Sequence, residues 1–400
     1  MPWNTTDPKE QRWRLIRQWM RRKKSLAELC RRNSISRKTG HKWIRRFQEK
    51  GRRGLADLRH VARRVHNRPA QVWLGRIRRW RALYPTWGAR KLRWALARRF
   101  DAEGLPSSAA IGRWLQRWGL SRRRRRPRPK GPALLRPKLT VPRQPNDVWT
   151  VDYKGCFRTG DGQRTDPLTV RDLASMFVLA VDLQVKPAIG PAQRAFVRIF
   201  RQHGLPLVIR SDNGVPFGAT GALGLTRLSA WWVKLGIRVE FIDPGRPEQN
   251  GAHEQMHRVY KEETLQPPAP TLRAQKMRSR RWVRRYNHER PHETLGMRTP
   301  AEIYQPSPRR LPEKVEPWCY PAGWESRLVR GKGMISLDGR GRYIGEAFEG
   351  ERVGLKASRP GIQEVYYGPL FLGELWDNET TGIRAGWYRP KRRRHVGSKT

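Results

Sequence analysis

Apolar positions recur at helical spacing through the first 120 residues and in short strand-like runs after that. Trp13, Ile16, Trp19 and Met20 form one stripe and predict a first amphipathic helix. Ser25-Leu-Ala-Glu28 reads as a capping box that opens a second helix ending near Asn33. After a turn at Ser34-Ile35, Ser36 caps a third helix that buries Trp43, Ile44 and Phe47 and stops at Gly51. Its other face carries Arg37, Lys38, His41, Lys42 and Arg45, a helix-turn-helix pattern with a basic last helix, suited to DNA. A second helical unit follows, with stripes Trp73-Ile77-Trp80, Leu92-Leu96 and Ile111-Leu115-Trp118. It is read as another helix-turn-helix or a winged helix, with Arg113, Gln116 and Arg117 outward and TWGARK (86–91) either a packing turn or a contact.

Beyond residue 146 the pattern changes. Residues 148–157, 168–171 and 177–183 are rich in β-formers and predict three antiparallel strands. A helix over 191–203, a strand over 207–210, a helix over 229–235 and a strand over 238–242 come next. A polar helix and a long basic one (271–287) complete a mixed sheet with helices on both faces. From 318 to 387, short β-type runs between glycine turns predict a small barrel or curled sheet. The expected organisation is therefore multidomain: helix-turn-helix 1–60, a second helical domain 61–120, a linker 121–146, an α/β domain 147–310, a small β domain 311–388 and a tail 389–400.

Charge sharpens this picture. The chain of 400 residues has a formal net charge of +51. Residues 1–146 hold 43 Lys and Arg against 7 Asp and Glu, so the excess is concentrated at the front, as in a chain gripping a polyanion. Arg122, Arg123, Arg124, Arg125 and Arg126 open a proline-rich arm suited to phosphates. No apolar run approaches the roughly 18 residues of a membrane span, and the first residues do not read as a signal peptide. Cys30, Cys156 and Cys319 are far apart, which argues against a disulfide framework or a zinc site. A soluble protein of a reducing compartment, with a nucleic-acid partner, is expected.

The candidate chemistry is acidic. Asp152 and Asp212 end predicted strands, and Glu254 starts the polar helix, with His257, Arg258 and Lys261 following at helical spacing. Three converging carboxylates suit a pair of hard divalent ions in phosphoryl transfer. Asp172 and Asp182 also end strands and are read as turn or supporting residues. Taken alone, Asp152 and Asp212 could each be a turn residue, and the polar helix a solvated face.

The strings WTVDYKG (149–155), SDNG (211–214), PEQNGAHEQMHR (247–258) and YNHERPHETLGMRTPAEIY (286–304) resemble the integrase core of bacterial insertion-sequence transposases, in the DDE transposase and retroviral-integrase superfamily. That resemblance implies a ribonuclease-H-like central fold at 147–310. It also implies cleavage at transposon ends and joining of the 3′ hydroxyl to target DNA, with two Mg²⁺ or Mn²⁺ ions per site. Asp152, Asp212 and Glu254 match the three acids, Asn250 and Lys261 match DNA-contacting positions, and His257 and Arg258 on the same helix are also expected to contact DNA. A spacing of about 35 residues between the last two acids would reach Glu248; the string Gly251-Ala-His-Glu254 favours Glu254. Tyr286, Asn287, Arg290, Pro291 and His292 are either packing residues or DNA contacts. The expected partners are terminal inverted repeats, target DNA and further copies of the chain, at least a dimer on DNA. The alternatives are a catalytically inactive DNA-binding regulator and a nuclease that cuts without joining.

Overall fold

The computed structural model describes residues 7–57, 71–121, 139–243, 247–379 and 381–385. Arg122 to Arg126 and the tail 389–400 lie outside the described residues. The chain divides into two compact units, Met1–Arg68 and Pro69–Thr400.

In the first unit, Asp7, Ser25 and Ser36 each accept a backbone N–H at the start of α1 (Pro8–Met20), α2 (Leu26–Arg32) and α3 (Arg37–Lys50). These caps satisfy donors that a helix start leaves without partners. Leu15 packs with Leu29 and Cys30, and Ile16 with Trp43 and Ile44. Met20, expected on the buried stripe, is 45% exposed; Leu15 is buried on α1 instead. Gly40 lets α3 approach α2 closely, since a Cβ there would lie 2.5 Å from Cys30 Sγ. Arg12 is buried, 4.0 Å from the Trp43 ring, and donates to Leu55 O at 2.8 Å. Arg37, Lys38, His41, Lys42 and Arg45 are all exposed on α3.

The second unit begins with α4 (Gln71–Leu83), α5 (Ala89–Arg99) and α6 (Ser108–Arg117), the last capped by Ser107. Trp73, Ile77, Trp87, Leu92, Leu96, Ile111 and Leu115 form their core, while Arg113 and Arg117 stay exposed. The central strands are β1 (Val148–Tyr153), β2 (Phe157–Arg158), β3 (Arg164–Asp172) and β4 (Val178–Gln184). After them come α7 (Ile189–His203), β5 (Val208–Ser211), α8 (Arg227–Lys234), β6 (Arg238–Phe241), α9 (Gly251–Thr264) and α10 (Leu272–His288). β4 and β1 flank β3 as antiparallel neighbours, while β5 and β6 continue from β1 in parallel, giving the expected mixed sheet. The strand expected over 148–157 is broken: residues 154–156 leave the ladder, and β2 pairs with β3 beyond them. Gly155, at φ 88°, allows the break.

Pleating divides this sheet into unlike faces. Trp149, Val151, Leu168 and Val170 point to one side, where they meet Phe196 and Phe200 of α7, Phe217, and Trp232 of α8. On the other side Val178 packs with Met256, Val259 and Tyr260 of α9 and Trp282 and Tyr286 of α10.

The end of the chain contributes β7 (Glu325–Leu328), β8 (Met334–Leu337), β9 (Arg340–Tyr343), β10 (Arg352–Arg359), β11 (Ile362–Tyr367), β12 (Leu370–Trp376) and β13 (Arg384–Ala385). Five of them form an antiparallel sheet in the order β13-β12-β11-β10-β7, and β8 and β9 form a separate hairpin. Among the described residues the sheet is open, because β7 and β13 do not pair; the barrel-like closure expected from the sequence is not seen. Its apolar face packs against Ala230 and Val233 of α8. No described helix is long and apolar enough to cross a membrane.

Candidate active site

Two strand ends and one helix build the site. β1 and β5 run parallel with Val148 opposite Val208 and Thr150 opposite Arg210. Continuing this register brings Asp152 level with Asp212, one residue past the end of β5. The turn after β5 is held by Asn213, whose side chain donates to Ile242 O at 2.6 Å, and by the Gly214 N–H, which donates to Asp212 Oδ1 at 3.2 Å. Glu254 sits in the first turn of α9, exposed, and adds to the negative field at Asp152.

Burial pushes the Asp152 carboxyl up to about 7, and the neighbouring Asp212 and, to a smaller degree, Glu254 push it the same way. Asp212 and Glu254 thus both add to the negative field around Asp152. The three acids do not form a tight ligand cluster: among the described residues, the group of donor atoms within 4.8 Å of one another is Asp152, His253 and His257. Those histidines are already engaged. His253 Nδ1 meets Thr150 Oγ1 at 2.8 Å, and the Nε2 atoms of His253 and His257 each meet Thr169 Oγ1 at 2.7 Å. Only His257 Nδ1 faces the carboxylate, 3.9 Å from Asp152 Oδ2. Burial, the main cause, holds both rings neutral, with His257 lowered to about 3 and His253 also well below its ordinary value. This is a hydrogen-bonded layer, poorly suited to take a metal.

The sequence places Asn250, His257, Arg258 and Lys261 together as DNA-contacting residues, and the structure divides them. Arg258 and Lys261 are exposed. Asn250 and His257 are buried and turn inward; Asn250 Nδ2 approaches Asp152 Oδ2 at 3.5 Å. Successive helical residues differ by about 100° around the axis, so His257 and Arg258 cannot face the same way. The side chain of Glu248 lies outside the described residues.

Two features escape a sequence reading. Lys154, half-buried in the break after β1, has its ammonium pKa lowered by burial and then by the charge of Lys261, while Asp152 pulls it the other way. Thr169, Arg171 and His253 form a polar layer beneath α9, where Arg171 Nη1 donates to Ala252 O. An alternating strand pattern registers such residues only as polar.

Tyr286, Asn287, Arg290, Pro291 and His292 are buried, which favours the packing alternative. Asn287 exchanges two hydrogen bonds of 2.9 Å with the backbone of Val178. Arg290 enters a buried hub around Glu263, which accepts from Arg290 Nη1 (3.2 Å), from Trp282 Nε1 (2.8 Å) and from the Thr86 hydroxyl. TWGARK is thus a docking turn. Beside it Tyr84 donates to Glu289 at 2.8 Å, and Arg90 pairs with Glu293 at 2.9 Å. Asp172 closes the β3–β4 turn by accepting from Ser175 N and Asn146 N, both at 2.7 Å. Asp182 accepts from Gln184 and Arg198.

Two family models, both described as integrase core domain, match residues 142–247 and 235–300. The chain is 31% identical over 188 residues to the insertion element IS407 uncharacterized protein of Burkholderia multivorans, spanning 46% of this chain and 64% of that protein. It is likewise 31% identical over 185 residues to the insertion element IS476 uncharacterized protein of Xanthomonas euvesicatoria, spanning 45% of this chain and 50% of that one. The chain thus spans between half and two thirds of the length of these relatives. The HTLV-2 integrase catalytic core domain, solved with magnesium in a dimeric form, aligns at 18% identity and a TM-score of 0.32, covering 40% of this chain and 97% of that one. Residues 142–300 thus match the integrase core domain, and the chain is similar to proteins of bacterial insertion elements.

Proposed function

We propose that the protein is a DNA transposase that binds the ends of its element, cleaves a phosphodiester bond there and joins the freed 3′ hydroxyl to target DNA. The observation that carries this reading is the field at Asp152: a buried carboxyl pushed up to about 7, with Asp212 and Glu254 raising it further. Such a concentration of acid repels a phosphate unless cations intervene. The donors are all carboxylate oxygens, the set that hard divalent ions prefer, so Asp152, Asp212 and Glu254 would hold Mg²⁺ or Mn²⁺, two ions per site. When bound, such a pair supplies stabilisation of the attacking and leaving oxygens of an in-line displacement.

The chain's own residues position the DNA. Lys154, two residues after Asp152, and the exposed Lys261, on the helix that carries Glu254, offer ammonium groups to the phosphates flanking the scissile bond. Arg258 extends this surface. The first unit, with Arg37, Lys38, His41, Lys42 and Arg45 exposed on α3, acts as the sequence reader in helix-turn-helix fashion. Arg113 and Arg117 on α6 form a second contact. Two ends must be handled together, so the working form is at least a dimer on DNA, in the cytoplasm at the nucleoid.

A strand-transfer assay tests the reading: pre-cut ends, supercoiled target and Mg²⁺, with and without chelator. Joined products that vanish in chelator are expected. Cutting without joining would leave a nuclease, and end binding without cutting a regulator. The retention of all three acids weighs against the regulator.

A further inference from the structure

We propose that Thr169 is a key that fixes the rotation of α9, so that Thr169, His253 and His257 are positioning residues for the acid site. The inference rests on the transposase reading for its consequence, and on hydrogen-bond bookkeeping for its content. A hydroxyl has one proton and two lone pairs. The Thr169 hydroxyl lies 2.9 Å from the carbonyl oxygen of Asp152, which can only accept, so its proton goes there. Both lone pairs are then left for the two imidazoles at 2.7 Å, and each must donate from Nε2. The rings meet edge to face with centroids 4.7 Å apart. His253 Nδ1 is left for the Thr150 hydroxyl at 2.8 Å.

One side chain thereby holds two of the three acids. Thr169 stands directly across from Asp152 in the β1–β3 pairing and binds its carbonyl. Through His253 it also holds the residue that precedes Glu254. Apolar packing of Met256 and Tyr260 tolerates small rotations; a hydroxyl shared by two N–H donors does not, because hydrogen bonds weaken steeply off axis. Turning α9 by one residue would bring Ala252 and Met256, or Glu254 and Arg258, onto Thr169, and none of these pairs supplies two ring N–H groups at that spacing. Arg171, donating to Ala252 O, adds a further polar tie at the start of the helix. The same bond turns the buried His257 ring inward, away from the exposed Arg258.

The test uses the full-length protein and a duplex carrying the inverted repeat that flanks its gene. Thr169→Val keeps the shape and removes the shared acceptor; Thr169→Ser restores it. End binding by Thr169→Val should stay within about twofold of wild type, while the Mg²⁺ or Mn²⁺ concentration for half-maximal cleavage rises about tenfold, as for other groups that orient metal ligands. Thr169→Ser should return it to within about threefold. A folded Thr169→Val with wild-type metal dependence, or a Thr169→Ser no better than Thr169→Val, overturns the proposal. A second measurement needs neither activity nor a folded variant. In ¹⁵N-histidine spectra of wild type, both rings should carry a proton on Nε2; either ring without one also overturns it. If wild type itself does not cleave, the transposase reading fails, and the spectra still decide the key.

Discussion

The two faces of the central sheet are built from the same strands and obey opposite rules. On the α7–α8 face, Trp149, Val151, Leu168 and Val170 meet Phe196, Phe200, Phe217 and Trp232, and the interactions are mainly apolar. Toward α9 the same strands present Thr150, Asp152, Thr169 and Arg171, which meet Asn250, Ala252, His253 and His257 through directional hydrogen bonds. Apolar contact is non-directional and grows with area, so it holds the domain together without fixing any group to a fraction of an ångström. Polar contact adds less net stability but specifies angle and register. One face keeps the domain folded, and the other aims the acids.

The largest effect should come from the edge of the polar face. Asp212→Asn should lower cleavage by at least about a thousandfold, the scale of losing several kcal/mol of metal-mediated stabilisation, with end binding unchanged in a gel-shift assay. Loss of both together would place Asp212 in the fold instead of in the chemistry. Phe196→Ala on the apolar face should cost about 3–5 kcal/mol in denaturant unfolding, while the surviving folded protein binds metal normally. An altered metal affinity there would erase the distinction between the faces.

Asp152 offers a test with a sign. Its folded pKa, about 7, lies above the unfolded value, so the folded state holds the proton more tightly. The metal-free protein should therefore lose stability as pH rises from about 4 and level off above about 7. Asp152→Asn should remove that slope and stabilise the metal-free protein by roughly 2 kcal/mol at pH 8, read by thermal or denaturant unfolding. Mg²⁺ should stabilise wild type and not this variant. The smallest effect is expected from Thr150→Val, which leaves His253 Nδ1 without its partner and should cost about 1–2 kcal/mol.

Much of the scaffold was legible because it rests on local rules. The caps at Ser25 and Ser36 sit where the sequence placed them, and the strands and helices of the mixed sheet follow the apolar periodicity closely. Asp152, Asp212 and Glu254 were readable as candidates because each stands at an element's end. Three things were not legible. The break at 154–156 depends on Gly155 adopting a left-handed conformation, which composition does not announce. The inward turn of His257 beside the outward Arg258 depends on where the helix rests, and a stripe of polar residues at 3.6 spacing leaves that open. That the C-terminal sheet is open among the described residues depends on strand number and pairing, while the sequence shows only short β runs and turns.

The hub at Glu263 has a practical consequence for anyone exchanging parts among such proteins. Thr86 sits between α4 and α5, yet its hydroxyl meets Glu263 near the far end of the helix that begins by presenting Glu254. Grafting residues 71–117 from a cousin with a different base preference would therefore replace one half of a buried handshake. Unless the graft brings a hydroxyl at position 86, Glu263 and Arg290 lose a shared partner in an enclosed seam, and retargeting would arrive with a loosened catalytic helix.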